Sequence, residues 1–294
     1  MKHVLGNRKA IAVFLLPALI IYLAVMVVPV VWSFVLTGMD GSPVLGFHWV
    51  GWENFTHFFR DPTALHALGF TIKYAVVLSV LQIVVAYLLA ILYVFVLKRL
   101  STFVRTMVFF PVVLPSVAIS LLFSRLFAVA PQIGPVNSVL ELFGANAVDW
   151  FATGDNAFIV IIIMDLWRTM GFYAVLLYAG LVEIPVEVLD AARVDGAGGV
   201  RLVRHIVLPA SLPVLLSTVI FSLNNCLKVF DSILALNNGG PGTATTPLNL
   251  YMFQTSFLYS DYGYGSVLAL LITVLCLAVT LLIFRSSRRD LTEG

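Results

Sequence analysis

Six apolar runs divide the chain, and polar stretches of varying length separate them. A membrane-spanning helix needs about 20 mainly apolar residues, and every run reaches that length. The pattern predicts spans at about 10–37, 71–97, 106–127, 156–181, 210–231 and 264–284. Pro111 and Pro115 lie inside the third run, where each removes a backbone hydrogen bond and favours a kink.

The composition agrees with a membrane protein. Of the 294 residues, 61% are hydrophobic and 11% are charged, against about 25% charged residues in soluble domains, and the mean hydropathy is +1.02. Cys226 and Cys276 fall in apolar runs, so we expect packing residues and no disulfide framework. The first run is too long for a signal-peptide core and lacks a small-residue cleavage site. We therefore predict an all-α membrane protein, with residues 1–294 forming a single domain of six transmembrane helices.

Basic residues are distributed unequally between the two sides of the predicted spans. On one side of the membrane the loops hold Arg60, with Lys73 and Arg125 at their edges. The other side, which includes both termini and the central loop, carries Lys2, Arg8, Lys9, Lys98, Arg99, Arg105, Arg193, Arg201, Arg204, Arg285, Arg288 and Arg289. Because lysine and arginine are enriched in cytoplasmic loops, both termini and the central loop 183–209 are predicted to be cytoplasmic.

The central loop 183–209 is polar and lies between the fourth and fifth spans. Pro185 suits the first position of a helix, because its missing N–H costs nothing there. Glu187 and Asp190 fall near that N-terminus, where the helix dipole favours carboxylates, and Gly196 supplies the permissive backbone that ends the helix. A second helix is predicted with one apolar face, made of Val200, Val203, Ile206 and Val207, and with Arg201, Arg204 and His205 opposite. A helix lying flat on the membrane surface is the alternative for this stretch.

The loop also contains a series of residues at fixed spacing. Asp190-Ala191-Ala192 is followed after three residues by Gly196, and then after nine by Ile206, with Leu208-Pro209 beyond. This series resembles the EAA loop of the permease subunits of binding-protein-dependent ABC importers. That pattern has Glu-Ala-Ala, three residues, Gly, nine residues, Ile, any residue and Leu-Pro. Asp190 is one methylene shorter than the Glu of the family.

Further segments are similar to sugar-importer permeases, most strongly from Asp165 to the end of the chain. They are Trp167-Arg168 before Gly171-Phe172, Ala179-Gly180-Leu181, Ile184-Pro185, Phe230-Asp231, Gly239-Gly240-Pro241-Gly242 with Thr243, Thr245 and Thr246, and the aromatic series Tyr251, Phe253, Phe257, Tyr262 and Tyr264. The resemblance implies the six-helix bundle of type I (MetI-like) importer permeases. It also implies a cargo such as an oligosaccharide, a monosaccharide or glycerol phosphate.

The resemblance further implies the partners of the chain. The loop 183–209 docks on a cytoplasmic ATPase, present in two copies that hold ATP and Mg²⁺, while this chain binds no cofactor and is not an enzyme. The implied coupling residues are Asp190, Ala191, Ala192, Asp195, Gly196, Ile206, Leu208 and Pro209. A second, similar but non-identical permease and an extracytoplasmic solute-binding protein complete the importer. Its place is the cytoplasmic (inner) membrane of a bacterium or archaeon, in contact with lipid and with no nucleic acid.

The sequence lacks the motifs of several other functions. It has no G-x-x-x-x-G-K-[ST] phosphate loop, so another chain must hydrolyse ATP if transport is ATP-driven. No histidine falls in a predicted span, which argues against an intramembrane enzyme with a catalytic or metal-binding His, and no metal site is expected. An ATP-independent secondary transporter or channel is the alternative function. It explains six spans, but it does not explain the fixed spacing in the loop.

Ionisable groups at membrane depth are costly and usually functional. Asp165 and Arg168 are three residues apart, as are Lys228 and Asp231, so each pair could meet on one helix surface, either structurally or along the translocation path. Aromatic and amide side chains near mid-depth of the fourth and fifth spans suit sugar rings and hydroxyls. The predicted path residues are Asp165, Arg168, Phe172, Tyr173, Ser222, Asn224 and Asn225. Helix–helix packing through small and polar residues is the alternative for each of them.

Overall fold

The computed structural model describes residues 8–292, so the predicted cytoplasmic residue Lys2 lies outside the described residues. The chain divides into two compact units. The first consists of residues 8–62 with Met252–Leu271, and the second of Thr63–Tyr251 with residues 272–292. Whether residues 1–294 act as one permease domain stays a prediction.

The first unit begins with a long apolar helix and a β-hairpin. In order it has α1 (Arg8–Tyr22), a π-helical turn (Leu23–Val27), α2 (Val28–Leu36), β1 (Met39–Ser42), β2 (Gly46–Trp49) and α3 (Glu53–Arg60). The strands are antiparallel, and Met39 pairs with Trp49. The Asn54 side chain closes the unit by donating to the carbonyl oxygens of Thr37 at 3.0 Å and Met39 at 2.8 Å.

The remaining elements are almost all helical. They are α4 (Pro62–Ile91) with a π-turn (Leu92–Val96), a 3₁₀ turn (Lys98–Leu100), α5 (Ser101–Val113), α6 (Ser116–Leu126), α7 (Pro135–Leu142), α8 (Gly154–Val182), α9 (Val186–Val194), α10 (Gly199–Leu202), a π-turn (Val203–Val207), α11 (Leu208–Ala210), α12 (Leu212–Leu227), α13 (Asp231–Asn237), α14 (Leu248–Phe253), a π-turn (Gln254–Leu258) and α15 (Tyr262–Thr292). The predicted all-α class is confirmed.

The described residues contain four to six helices that are long and apolar enough to cross a membrane. Four are single helices, at Ile11–Leu36, Pro62–Val96, Gly154–Val182 and Tyr262–Arg285. Two more candidates are helix pairs, Ser101–Val113 with Ser116–Leu126, bent by 95°, and Gly199–Ala210 with Leu212–Leu227, bent by 73°. That each bent pair is one crossing stays a prediction.

The bend in the third run is larger than a kink and has a local cause. Pro111 stays inside α5, whereas the helix ends at Leu114, whose ψ of 143° is extended. A residue before proline is driven out of the helical region, and Pro115 follows Leu114 directly. Of the two predicted kinks, the one at Pro115 is a full break between α5 and α6, whereas Pro111 lies within α5.

Two clusters of buried side chains organise the second unit. The first joins α4, α6, α8, α12 and α13, with Tyr74, Ile119, Met164 and Ile233 at its centre. The second joins the end of α4 and the end of α8 to the central loop. The members of the second cluster include Ala86, Ala90, Tyr93, Tyr173, Leu177, Leu181, Leu189, Ala192, Leu202 and Val207. The central loop is thus packed onto the ends of α4 and α8.

Gly171 lets helices α5 and α8 approach backbone to backbone. A Cβ at this position would lie against the carbonyl oxygen of Val108 and 2.8 Å from the Cα of Phe109. Helix association in a membrane depends on such close van der Waals packing at small residues. The contact fixes α5 beside the middle of α8, next to the candidate site.

Candidate functional site

A cavity of about 420 Å³ opens in the second unit between helices α4, α8 and α12. Its volume falls in the range of small-molecule sites, about 300–1,000 Å³. The lining combines apolar, aromatic, amide and charged side chains: Tyr74, Leu78, Gln82, Val112, Asp165, Arg168, Thr169, Phe172, Tyr173, Phe221, Asn225, Cys226, Lys228, Val229 and Asp231. A polar ligand with apolar faces would find complementary groups in it.

One wall of the cavity is aromatic. The rings of Phe172 and Phe221 lie 5.5 Å apart at 33°, and Tyr173 meets Phe172 edge-on with the centroids 5.3 Å apart. The hydroxyl of Tyr173 accepts a hydrogen bond from Asn225 Nδ2 at 3.4 Å. Aromatic faces and an amide therefore stand next to one another, the combination that a sugar ring with its hydroxyls can use.

Gln82 ties the three cavity helices together. Its side chain is buried, with Nε2 donating to Thr169 Oγ1 at 2.6 Å and Oε1 accepting from Ser222 Oγ at 2.7 Å. A buried amide paired at both ends specifies a fixed separation of α4, α8 and α12. Sequence reasoning missed Gln82, because its partners are far away along the chain. The available signal was that Gln82 is the single amide in the second apolar run.

The cavity also contains a buried charged group. The Asp165 side chain is fully buried, and its Oδ1 accepts hydrogen bonds from Arg168 Nε and Nη2, both at 3.1 Å. Its Oδ2 accepts from the Tyr74 hydroxyl at 2.6 Å and from Ser232 Oγ at 3.1 Å. These bonds offset the desolvation of the carboxylate. In the part of the chain that the structure describes, no group of three His, Cys, Asp or Glu side chains is placed to hold a metal ion.

The structure brings most of the predicted path residues together. Asp165, Arg168, Phe172, Tyr173 and Asn225 all line the cavity. The predicted Asp165–Arg168 pair forms on α8, with Asp165 buried and Arg168 partly exposed to the cavity.

The other two path residues lie elsewhere. Ser222 is buried behind the cavity lining through its bond to Gln82. Asn224 lies apart from the cavity, because its amide donates to Ile220 O and to Thr280 Oγ1, both at 2.9 Å.

Lys228 and Asp231 do not share a helix, contrary to the prediction. Lys228 is the residue after α12, and Asp231 begins α13, so the spacing of three has no helical meaning here. The Asp231 carboxylate accepts a hydrogen bond from Ser116 at the start of α6 instead. Both residues nevertheless line the cavity.

The central loop presents a polar outer face. Asp190 and Arg193 form an exposed ion pair with Nη1 and Oδ1 2.7 Å apart. Asp195 ends helix α9, and Gly196 follows with φ of +81°, a conformation that favours glycine. Of the remaining coupling residues, Ala191, Leu208 and Pro209 are exposed, Ile206 is half-buried and Ala192 is buried.

The inner face of the second loop helix differs from the predicted one. Val200 is 82% exposed, whereas Leu202 and Val207 are buried. The cause is the π-turn Val203–Val207, in which hydrogen bonds join residues five apart. Leu202 and Val207 are five positions apart in the sequence, so this turn aligns them on one side. Arg201, Arg204 and His205 are exposed, as predicted.

Comparisons with known proteins agree with this architecture. The family described as binding-protein-dependent transport system inner membrane component matches residues 82–289. The sulfoquinovosyl glycerol transport system permease protein SmoG of Agrobacterium fabrum is 32% identical over 289 residues, which cover 97% of this chain and 92% of that protein. The multiple sugar-binding transport system permease protein MsmF of Streptococcus mutans is 31% identical over 244 residues, 83% of this chain and 82% of that protein.

A solved structure is similar over the whole chain. It is that of a bacterial ABC transporter involved in the import of the acidic polysaccharide alginate, with a TM-score of 0.86 and 22% sequence identity. The match covers 98% of both chains. The predicted type of fold is therefore confirmed.

Proposed function

This chain belongs to the family of inner-membrane components of binding-protein-dependent transport systems, the permeases of ABC importers, and from that premise we propose that its cargo is a sugar, an oligosaccharide or a related polyol. The family match over residues 82–289 supports an importer permease, and the names of two relatives carry the choice of cargo. The two relatives described above, 32% and 31% identical, are named for sulfoquinovosyl glycerol and for multiple sugars, which supports a saccharide.

The cavity between α4, α8 and α12 is the proposed passage for the saccharide. Phe172 and Phe221 supply faces for the apolar side of a sugar ring, and Asn225 supplies an amide for its hydroxyls. Arg168 adds hydrogen-bond donors on the same cavity. The cavity serves alternating access: it faces the outside and the inside of the cell in turn.

The central loop 183–209 is the proposed contact with a separate cytoplasmic ATPase. The exposed residues Asp190, Ala191 and Arg193 form the docking surface, and Asp190 meets a basic residue of the ATPase. Leu189 and Leu202 are buried against the ends of α4 and α8, which supports a rigid connection. Closure of two ATPase copies on ATP and Mg²⁺ displaces this loop, and the flanking helices follow.

The remaining partners follow from the same family. A solute-binding protein outside the cytoplasmic membrane delivers the saccharide, and a second, non-identical permease completes the pathway. The membrane is that of a bacterium or archaeon. The basic residues near both termini and in the central loop support a cytoplasmic position for all three.

Purification and reconstitution test this proposal. The importer is purified through a tag on this chain, its subunits are identified, and it is placed in proteoliposomes with its solute-binding protein. Uptake of radiolabelled maltose, raffinose, sulfoquinovosyl glycerol and glycerol 3-phosphate is then measured with and without ATP. We expect an ATPase in the complex and ATP-dependent uptake of at least one of these probes. A chain that purifies without an ATPase and transports equally well without ATP is a secondary transporter, and the proposal is then wrong.

A further inference from the structure

The buried carboxylate of Asp165 is held from three separate helices. Arg168 lies on the same helix, α8, whereas Tyr74 comes from α4 and Ser232 from α13. All four hydrogen bonds to the two carboxylate oxygens come from side chains. Such a set fixes the orientation of the carboxylate as well as compensating its charge.

Arg168 faces the cavity with part of its hydrogen-bonding capacity unused. A guanidinium has five N–H donors in a planar fork. Asp165 accepts one bond from Nε and one from Nη2, and these are the hydrogen bonds that Arg168 makes within the described residues. The side chain is 26% exposed and lines the cavity. The three N–H groups that remain are available to a ligand there.

A second set of bonds holds the same turn of α8. Thr169 Oγ1 donates to the backbone oxygen of Asp165 at 2.6 Å and accepts from Gln82 Nε2 at 2.6 Å. Helix α4 therefore contacts this turn at two points: Tyr74 donates to the Asp165 carboxylate, and Gln82 donates to Thr169. Arg168 neutralises Asp165 through Oδ1 alone, so the bonds from Tyr74 and Ser232 to Oδ2 both offset desolvation and set the direction of the carboxylate.

We propose that Tyr74 and Ser232 are positioning residues. Through Asp165 they hold the Arg168 guanidinium against the cavity wall, where its remaining N–H groups donate to hydroxyl or carboxylate oxygens of the saccharide in transit. This inference rests on the proposed function. A guanidinium suits the task, because a bidentate donor fixed in direction selects for the orientation of its acceptor.

The single-residue variants Tyr74→Phe and Ser232→Ala test the positioning. Each removes one hydroxyl that donates to Asp165 and leaves the Asp165 and Arg168 side chains themselves chemically unchanged. Tyr93→Phe is the matched control, because Tyr93 is also buried and its hydroxyl has no hydrogen-bond partner among the described residues. Each variant is purified as the whole importer, and thermal melting is recorded to establish that it is folded.

The measurement separates uptake from ATP hydrolysis in proteoliposomes. The probe is whichever of the four labelled compounds the wild type transports. We expect Tyr74→Phe to lower uptake about tenfold, the effect of losing one hydrogen bond to a charged group. ATP hydrolysis stimulated by the loaded binding protein should stay near the wild-type rate, so fewer probe molecules enter per ATP. Tyr93→Phe should change neither quantity.

A double variant tests the same role if Tyr74→Phe or Ser232→Ala fails to fold. Asp165→Asn with Arg168→Gln replaces the ion pair by two neutral amides, which avoids leaving one buried charge without its partner. We expect a folded importer that hydrolyses ATP and has lost most of its uptake. Wild-type uptake in this double variant, or in Tyr74→Phe and Ser232→Ala, would overturn the positioning role alone. Failure of the wild-type importer to transport any of the probes would contradict the proposed function, and this inference with it.

Discussion

Replacing Gly171 by alanine tests how closely helices α5 and α8 are packed. The added Cβ would lie against the Val108 carbonyl oxygen and 2.8 Å from Phe109 Cα. Carbon atoms in contact sit at about 3.5–4.0 Å, so one helix must retreat by at least about 0.7 Å. No flexible side chain is in the way, since both obstacles belong to the backbone of α5.

The cost of Gly171→Ala follows from this displacement. Over-packing of this kind costs about 1–3 kcal/mol, and a gap of about 0.5–1 Å forfeits a quarter to a half of each dispersion contact along the interface. For a chain of this size, roughly 2–4 °C of melting temperature corresponds to each kcal/mol. The apparent melting temperature should therefore fall by roughly 2–12 °C.

The assay is heating of the detergent-solubilised protein followed by size-exclusion chromatography of what remains folded. Gly69→Ala is the matched control, because Gly69 also lies inside a helix but a Cβ there meets nothing within 4 Å. Alanine favours a helix over glycine by up to about 1 kcal/mol, so this control should melt at or above the wild-type temperature. Equal melting of Gly171→Ala and the wild type would refute the close-packing argument.

Three further substitutions address the loops. Asn137→Ala removes a buried amide that pairs with Trp150 Nε1 and with loop backbone, which costs about 1–3 kcal/mol for each group left unpaired. Amide hydrogen exchange should accelerate in residues 128–153. Unchanged exchange would contradict the role of Asn137 in holding this loop. Gly196→Val forces a left-handed backbone on a β-branched residue at a cost of about 1–2 kcal/mol. Uptake should fall while ATP hydrolysis continues, and full uptake would contradict a role of the Gly196 bend in coupling. Asp190→Asn breaks an exposed ion pair that contributes about 0–1 kcal/mol. The melting temperature should be unchanged while uptake slows. Wild-type uptake would place Asp190 outside the ATPase contact.

Periodicity and composition were enough to predict the helical architecture and the polar central loop. Hydrophobic length alone marks the long helices, because a membrane imposes the same minimum on every span. The spacing of Asp165 and Arg168 also predicted their pairing, since residues three apart meet on any helix. These are local properties, which a sequence records directly.

Contacts between distant segments could not be predicted in this way. Tyr74 and Gln82 gain their roles only when α4 packs beside α8, a fact that no local pattern contains. Adjacent residues on a helix point roughly 100° apart, so Asn225 reaches the cavity while Asn224 does not. The exposed Val200 shows a third limit, because the π-turn after it changes the helical period on which the predicted face depended.

The buried underside of the central loop has a consequence for chimeric transporters. Leu189, Ala192 and Leu202 interlock with side chains at the ends of α4 and α8, whereas Asp190 and Arg193 point away from them. Transplanting only the exposed residues of the loop from another permease should change which ATPase the chain binds and leave the packing of the loop intact. Transplanting the whole segment also replaces the buried side chains that pack against α4 and α8. Such a hybrid therefore needs matching substitutions in these two helices before the loop can transmit force to them.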